Sequence, residues 1–439
     1  MNFNYLLRGI ILTAAASPFL LQAQTDTSTW KRNLHFQQTI VTQGHSNFSA
    51  PYTGTNSLLP QEDAQTSLTT TLFLAGKLSK SLTAYINAEL AGGAGISLAR
   101  GVAGFTNGET FRVGDPKPQV YIARVYIRGV IPLTAATELQ EDAPNCIAER
   151  VPLSYIAISA GKFGIADFID QNRYSHDPRS QFLNWSLMGN GAWDYPANTR
   201  GYTWGVMIEY ITPGWVVRFA STLVPKEANG PYLDLQADKS RAESIELEKH
   251  YSIGSRKGSA RIMGFFNQAH MGNYKDATNL PEYNLDITLN RAFGRSKYGA
   301  GINIEQEITP STGLFARASW NDGRNETWAF TEIDQSASAG IVINGKSWKR
   351  PFDNLGIAAV ANGISQDHRD YLKAGGYGFI IGDGALNYST EFISELYYSG
   401  QVHQNFWITP DLQLVINPAY NRDRKGPVLV YALRGHFEF

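Results

Sequence analysis

The sequence predicts an all-β fold: a transmembrane antiparallel β-barrel of about 16 strands, with 18 as the upper count, long loops on one rim and loops folded inward. Three observations predict it. Charged residues make up only 18% of the 439 residues, below the roughly 25% usual for soluble domains, while 41 glycines and 12% aromatics are present. No later stretch reaches the ~18 consecutive apolar residues of a helical span, so a membrane form must be a closed barrel, which satisfies every backbone polar group in lipid. Short segments alternate apolar and polar again and again, at about the 9–11 residues that a transmembrane strand needs.

The alternation is clearest at the end of the chain. Leu429, Tyr431, Leu433, Phe437 and Phe439 share one face, opposite Val428, Val430, Ala432, Arg434, His436 and Glu438. Side chains of a strand point alternately to opposite sides, so one face here is apolar and the other turns polar. The same period runs through 82–90, 121–129, 203–211, 215–223, 283–290, 299–308 and 312–320. In 121–129, Tyr121, Val125 and Ile127 are placed on the apolar face against Arg124, Tyr126 and Arg128; in 283–290, Tyr283, Leu285, Ile287 and Leu289 oppose Asn284, Asp286, Thr288 and Asn290. Gly, Pro, Asn and Asp bound the segments. Trp204, Tyr210, Trp215, Tyr283 and Trp320 sit near segment ends, as an aromatic girdle requires. Longer polar connections are expected at 43–66, 92–117, 134–152, 164–200, 225–256 and 321–336. A soluble β-sandwich also alternates, but it hides its apolar face and would not place Arg and Glu on the covered side of so many strands.

Residues 1–23 have the form of a cleaved export signal: Arg8, an apolar run over 10–21 too short for the ~20 residues of a span, and small Ala23 at the cut. Residues 24–439 then form one barrel domain. With 38 basic and 39 acidic side chains the formal net charge is -1, which gives no footing for nucleic acid. A single cysteine, Cys146, excludes an intramolecular disulfide and any CxxC motif.

Motifs for chemistry are sparse. The string GIVINGKS over 340–347 fits the phosphate-loop pattern, but 341–343 is strand-like and Trp348, Lys349, Arg350 and Pro351 make a poor helix. There is no GxSxG elbow, no HExxH and no His pair at metal-ligand spacing, so no catalytic residue, metal or cofactor is expected. Glu391 and Glu395 share a strand face with Tyr397, and Glu305 and Glu307 share another; residues on one strand point the same way and do not flank a scissile bond, so they read as polar lining. The segment 162–202 differs from the rest. It mixes Asp167, Asp170, Asn172, Arg173, His176, Arg179, Asn184, Trp185, Asn190, Trp193, Tyr195 and Arg200. Planar donors and acceptors among aromatic faces suit a neutral polyhydroxylated solute, and such a loop folded into a pore would narrow it.

These residues carry a resemblance. GKFGIADFIDQNRYSHDPRSQFLNWSLMGNGAWDYPANTRGYTWG (161–205), ARASWNDG (316–323) and YSTEFISELYYSG followed by WITPDLQLVINPAY (388–420) resemble the carbohydrate-selective porins of the OprB type. The resemblance covers most of the chain. It implies a barrel of about 16 strands in the outer membrane of a Gram-negative-type bacterium and passive diffusion of mono- or oligosaccharides. It also implies a pore narrowed by inward loops and lined by Arg and Glu. Alternation nominates Arg124, Arg128, Arg218, Arg317 and Arg434, with Glu89, Glu209, Glu391 and Glu395, as lining groups; the 162–202 segment adds Asp170, Asn172, Arg173, Asn184 and Trp185. The expected partners are carbohydrate solutes, outer-membrane lipid and the assembly machinery that reads a terminal strand ending in Phe439. The alternatives are a general or anionic-polysaccharide-conducting porin of the same fold, an outer-membrane enzyme barrel, and an exported glycan-binding sandwich.

Overall fold

A computed structural model describes residues 31–110, 116–280 and 285–439. The export signal at 1–23 lies outside the described residues, as do Tyr283 and Asn284.

The chain forms β1 (Arg32–His45), β2 (Gln65–Lys77), β3 (Leu82–Gly93), β4 (Gln119–Pro132), β5 (Thr137–Gln140), β6 (Glu149–Pro152), β7 (Tyr155–Phe163), β8 (Thr203–Ile211), β9 (Trp215–Thr222), β10 (Arg241–Ile253), β11 (Arg256–Met271), β12 (Ala292–Thr309), β13 (Thr312–Asn321), β14 (Gln335–Asn344), β15 (Asn354–Gly363), β16 (Glu391–His403), β17 (Phe406–Ile416) and β18 (Val428–Glu438). Sixteen of these close into one antiparallel barrel, each paired with its neighbour in sequence; β5 and β6 pair only with each other. β1 closes on β18 from Gln37↔Glu438 to His45↔Val430. Beyond this register, Phe36 and Phe439 exchange backbone hydrogen bonds of 3.1 and 3.0 Å. Closure removes the edges that would expose unpaired N–H and C=O groups to lipid.

The period-two rows sort as a barrel requires. In β18, Leu429, Tyr431 and Leu433 are exposed on the outside, while Val430, Arg434 and His436 are buried within. The outer rows of β8 (Trp204, Val206, Ile208, Tyr210), β9 (Trp215, Val217, Phe219) and β13 (Leu314, Trp320) are likewise exposed. So large a contiguous apolar surface marks a lipid contact.

Connections after the odd barrel strands β1, β3, β7, β9, β11, β13, β15 and β17 are long: 46–64, 94–118, 164–202, 223–240, 272–291, 322–334, 364–390 and 417–427. On the opposite rim most turns are tight, such as 212–214, 254–255, 310–311 and 404–405. Long loops face outward from the cell and short turns face the periplasm in barrels of this kind.

Several expectations need correction. Residues 225–256 are not one connection: Arg241–Ile253 is β10, whose Ser244, Glu246 and Glu248 point inward between outward Ile245 and Leu247. Residues 287–290 form a 3-10 turn rather than a strand, because the Asp286 side chain accepts from Thr288 N and caps it. The 134–152 segment lies on the short rim, where β5 and β6 form a hairpin. Asn33 of β1 donates to Asp142 Oδ1 (2.8 Å), Ala143 O and Cys146 O (both 3.0 Å) and ties this hairpin down. Tyr121 faces inward: Arg124 pairs with Asn87 but Ile122 with Ala88, so Ala123 is an extra residue. That bulge exchanges the faces on its two sides. Ile122 is exposed outside, and the Tyr121 hydroxyl donates to Glu89 within. Finally, 335–344 is strand and 345–348 a 3-10 turn, so the phosphate-loop string has no following helix.

Candidate functional site

The lumen is occupied by the loop 164–202 and, beside it, 94–110. Apolar packing brings the first loop to the far wall. Phe182 and Leu187 are fully buried against Phe315 of β13, Ile393 and Tyr397 of β16, Val415 of β17 and Val430 of β18. The Phe182 ring meets Tyr397 edge-on at 4.9 Å and Phe315 at 5.5 Å. Gly313 gives Tyr174 its seat, since a Cβ there would lie 1.9 Å from the ring.

A loop buried in this way must satisfy its backbone polar groups, and the wall supplies the partners. Glu395 accepts from Leu183 N (2.5 Å) and Asn184 N (2.8 Å). Glu391 accepts from Ala103 N (2.9 Å), Gly104 N (2.8 Å) and Ala419 N (2.8 Å), joining two further loops. Arg434 donates to Pro178 O (2.5 Å) and Gln181 O (2.8 Å). Arg317 donates to Asp170 Oδ1 (3.1 Å), Leu187 O (3.1 Å) and Ser175 O (2.6 Å). Asp170 sits at φ 63° and also accepts from Asn190 N (2.6 Å) and Asn303 Nδ2 (2.5 Å). Asn172 donates to Asn303 Oδ1 (2.7 Å). Asn184 caps the short helix Trp185–Met188 and donates to Gly104 O (2.8 Å), linking the two inward loops. Trp185 is stacked on Phe105 at 4.7 Å and packed against Phe330 at 5.2 Å.

The opposite sector of wall is built differently. On β4, β8, β9, β10, β11 and β12 the inward charges pair with one another. Arg128 bonds Glu209; Arg218 reaches Glu209 (3.5 Å), Glu246 (2.8 Å) and Glu248 (2.7 Å); Arg261 reaches Glu248 (2.6 Å) and Glu305 (3.4 Å). Segment 168–173 of the loop rests on this ladder. Asp170 N donates to Glu246 (2.8 Å), Arg173 N to Glu305 (2.7 Å), and the Arg128 guanidinium lies 5.9 Å from the Phe168 ring. Arg124 holds Asp167 with two bonds, 2.7 and 2.6 Å. Glu89 accepts from Thr71, Tyr121 and Tyr202, with Arg179 at 3.5 Å. The Arg173 side chain is the most open of the nominated groups, 54% exposed and 4.0 Å from Glu307.

The nominated residues therefore fall into two groups. Arg317, Arg434, Glu391, Glu395, Asp170, Asn172, Asn184 and Trp185 are buried under loop contacts. Arg124, Arg128, Arg218 and Arg173 keep part of their side chains open, while Glu209 and Glu89 beside them are buried. Glu246 and Glu248, which fall in the expected 225–256 connection, are not among the nominated residues, nor is Arg261 of β11, a strand not delimited from the sequence; the alternation of Glu246 and Glu248 with Ile245 and Leu247 is the available signal. Among the described residues no cluster of three or more His, Cys, Asp or Glu side chains could hold a metal ion.

A second clamp joins the long loops, with one cation, Lys297, supplied by β12. Glu332 accepts from Ile380 N and Ile381 N (both 2.8 Å), and burial pushes its carboxyl up to about 7. His368 Nδ1 lies 3.1 Å from Asp334 Oδ2, with Lys297 Nζ 3.5 Å from Asp334 Oδ1 and Tyr274 stacked on the imidazole at 4.1 Å. Burial pushes His368 down; burial also opposes ionisation of Asp334, but Lys297 and His368 outweigh it and hold the carboxyl low.

The profile of the carbohydrate-selective porin, OprB family matches residues 55–439. Among solved structures, the high-pH structure of Pseudomonas putida OprB is similar at 17% identity, over 93% of this chain and 94% of that one, with a TM-score of 0.67. The outer membrane channel DcaP of Acinetobacter baumannii is similar at 9% identity, over 94% and 99%, with a TM-score of 0.50. Identities this low speak for the fold alone. No curated protein matches the chain in sequence. With the family profile spanning most of its length and a closed sixteen-strand barrel around loop-filled polar walls, the chain belongs to the OprB family of carbohydrate-selective porins, in the outer membrane.

Proposed function

We propose that carbohydrates diffuse passively past the Arg/Glu ladder, and that Arg124, Arg128, Arg218 and Arg173 are the groups that exchange hydrogen bonds with sugar hydroxyls, with the buried Glu209 and Glu89 positioning the surface they form. Arg317, Arg434, Glu391, Glu395, Asp170, Asn172, Asn184 and Trp185 act one step back, by holding the loops that narrow the passage. The observation that carries this reading is the alternation of sign along the ladder. Arg218 and Arg261 each stand between carboxylates and Arg128 ends the row on Glu209, so donors and acceptors are interleaved and no strip of a single charge forms. A sugar hydroxyl both donates and accepts, and uses such a surface without a net field; a charged polymer needs a strip of one sign. Contacts must stay weak and multiple so that the solute leaves, and no covalent step is required.

The leader would be cut near Ala23, and the terminal strand would be read by the assembly machinery. Phe439 suits that role: it is 54% exposed beside the β1–β18 seam, 5.7 Å from Phe36 and 6.0 Å from Phe437.

Permeation into liposomes carrying the refolded chain tests the reading. Neutral mono- and oligosaccharides should enter faster than amino acids of similar size. Equal entry of all small solutes would make the chain a general pore, and faster entry of acidic oligosaccharides would favour an anionic-polymer channel.

A further inference from the structure

Besides the β5–β6 segment, one short-rim connection is longer than the tight turns: 345–353, between β14 and β15. It overlaps the GxxxxGK[ST] string that the fold leaves without a nucleotide role. Its backbone is well held. Gly345 N donates to Asp353 O (2.8 Å), Arg350 N to Gly345 O (2.8 Å), and the Asn344 amide bonds Pro351 O (2.9 Å) and Asp353 O (3.2 Å). Arg350 is fixed by Asp353 and by Gln401 O (2.6 Å).

What this scaffold displays is cationic and aromatic. Lys346 and Lys349 are exposed, and neither ammonium has a partner among the described residues. Three cations stand against the single carboxylate of Asp353. Phe352 is 64% exposed and Trp348 37% exposed. The Trp348 indole N–H donates to the Tyr398 hydroxyl at 3.3 Å. The turn follows directly from the outward rows of β14 and β15, Ile341, Ile343, Leu355 and Ile357, so its side chains stand at the periplasmic boundary of the apolar belt. Amphipathic aromatics settle at headgroup depth, and lysines there meet lipid phosphate.

We propose that the turn 345–353 is a docking site for an anionic phospholipid headgroup of the periplasmic leaflet, with Lys346 and Lys349 facing the phosphate and Trp348 and Phe352 seated among the acyl ends of the headgroup region. The occupant is a lipid rather than a free phosphate, because the two open ammonium groups share the turn with apolar rings that only a membrane covers. The site lies on the lipid side of the barrel and is independent of what passes through the lumen.

Native mass spectrometry of the full chain, released from micelles holding equal phosphatidylglycerol and phosphatidylethanolamine, tests it. The native chain should retain phosphatidylglycerol preferentially, and K346Q/K349Q should lower that retention by about tenfold. K80Q, on the tight turn 78–81 of the same rim, should leave it unchanged, and excess inorganic phosphate should not displace the lipid. Equal retention of the two lipids by the native chain, an unchanged K346Q/K349Q, or displacement by inorganic phosphate would overturn the proposal. Heat-modifiable gel mobility reports that each barrel is folded. If the double variant does not fold, K349Q and the native chain's headgroup preference decide by the same criteria.

Discussion

Two sectors of the inner wall carry the same residue types and use them differently. On β13, β16 and β18, Arg317, Glu395 and Arg434 are buried beneath a loop and spend their hydrogen bonds on its backbone. On β4, β8 and β9, Arg128, Glu209 and Arg218 bond one another; the two guanidinium side chains stay partly open, with Glu209 buried between them. The difference is what covers them. A charge removed from water needs partners in fixed positions, and loop N–H and C=O groups provide them. A charge left at a wet surface can exchange its partners for a solute's.

Substitutions that remove a partner separate the two sectors, and the largest effect belongs to the covered one. Arg317→Ala leaves Asp170 buried without its cation and removes a donor from the carbonyls of Asp170, Ser175 and Leu187; a loss of about 3–5 kcal/mol is expected, read as a lower unfolding temperature by heat-modifiable mobility. Gly313→Val places methyl groups into the Tyr174 ring and should cost about 1–3 kcal/mol, with the loop displaced from β13. On the ladder, Arg218→Gln should cost less, about 1–3 kcal/mol, because the buried Glu209 and Glu248 keep Arg128 and Arg261 as cations and only Glu246 loses its guanidinium outright. Its main effect should be on selectivity: cation preference in a planar bilayer rises as Glu246 loses its counter-charge. An Arg218→Gln barrel as unstable as Arg317→Ala would erase the distinction between sectors.

The smallest effect is one of pH, at the clamp between the long loops. His368 and Asp334 both have folded values below their unfolded ones, so the stability they contribute is lost as pH falls, through about 6.5 for the imidazole and about 4 for the carboxyl. Glu332 has the opposite sign. Its folded value of about 7 exceeds the unfolded one, so its contribution is present at low pH and lost as pH rises through 7. The two oppose each other between about 4.5 and 6.5. Below that window only the loss remains, so protease resistance of the loops 322–334 and 364–390 should fall most steeply there. His368→Asn should flatten the part of the profile near pH 6.5.

Much of the barrel was legible because period two is a local property. β8 falls on the 203–211 segment, and β18 and β13 nearly so, since large apolar residues mark one face without interruption. β10 was lost because its outward row sets Ile245 and Leu247 between Glu243 and Lys249. The bulge at Ala123 left no trace, since an extra residue in one strand is defined only by its partner. The site was legible in part. Alternation points Arg and Glu inward, but cannot say which of them a loop will cover. Asn184 and Glu395 meet across 211 residues, and that contact exists only once the barrel has closed.

Single-channel conductance of Glu395→Ala beside the native chain and Glu395→Gln tests the central claim most directly, that wall charges hold the loop that narrows the lumen. Removing the acceptor of Leu183 N and Asn184 N should free the loop, raise conductance and abolish the preference for sugars over amino acids, with Glu395→Gln between the two. A folded Glu395→Ala barrel with native conductance and native sugar preference would contradict it.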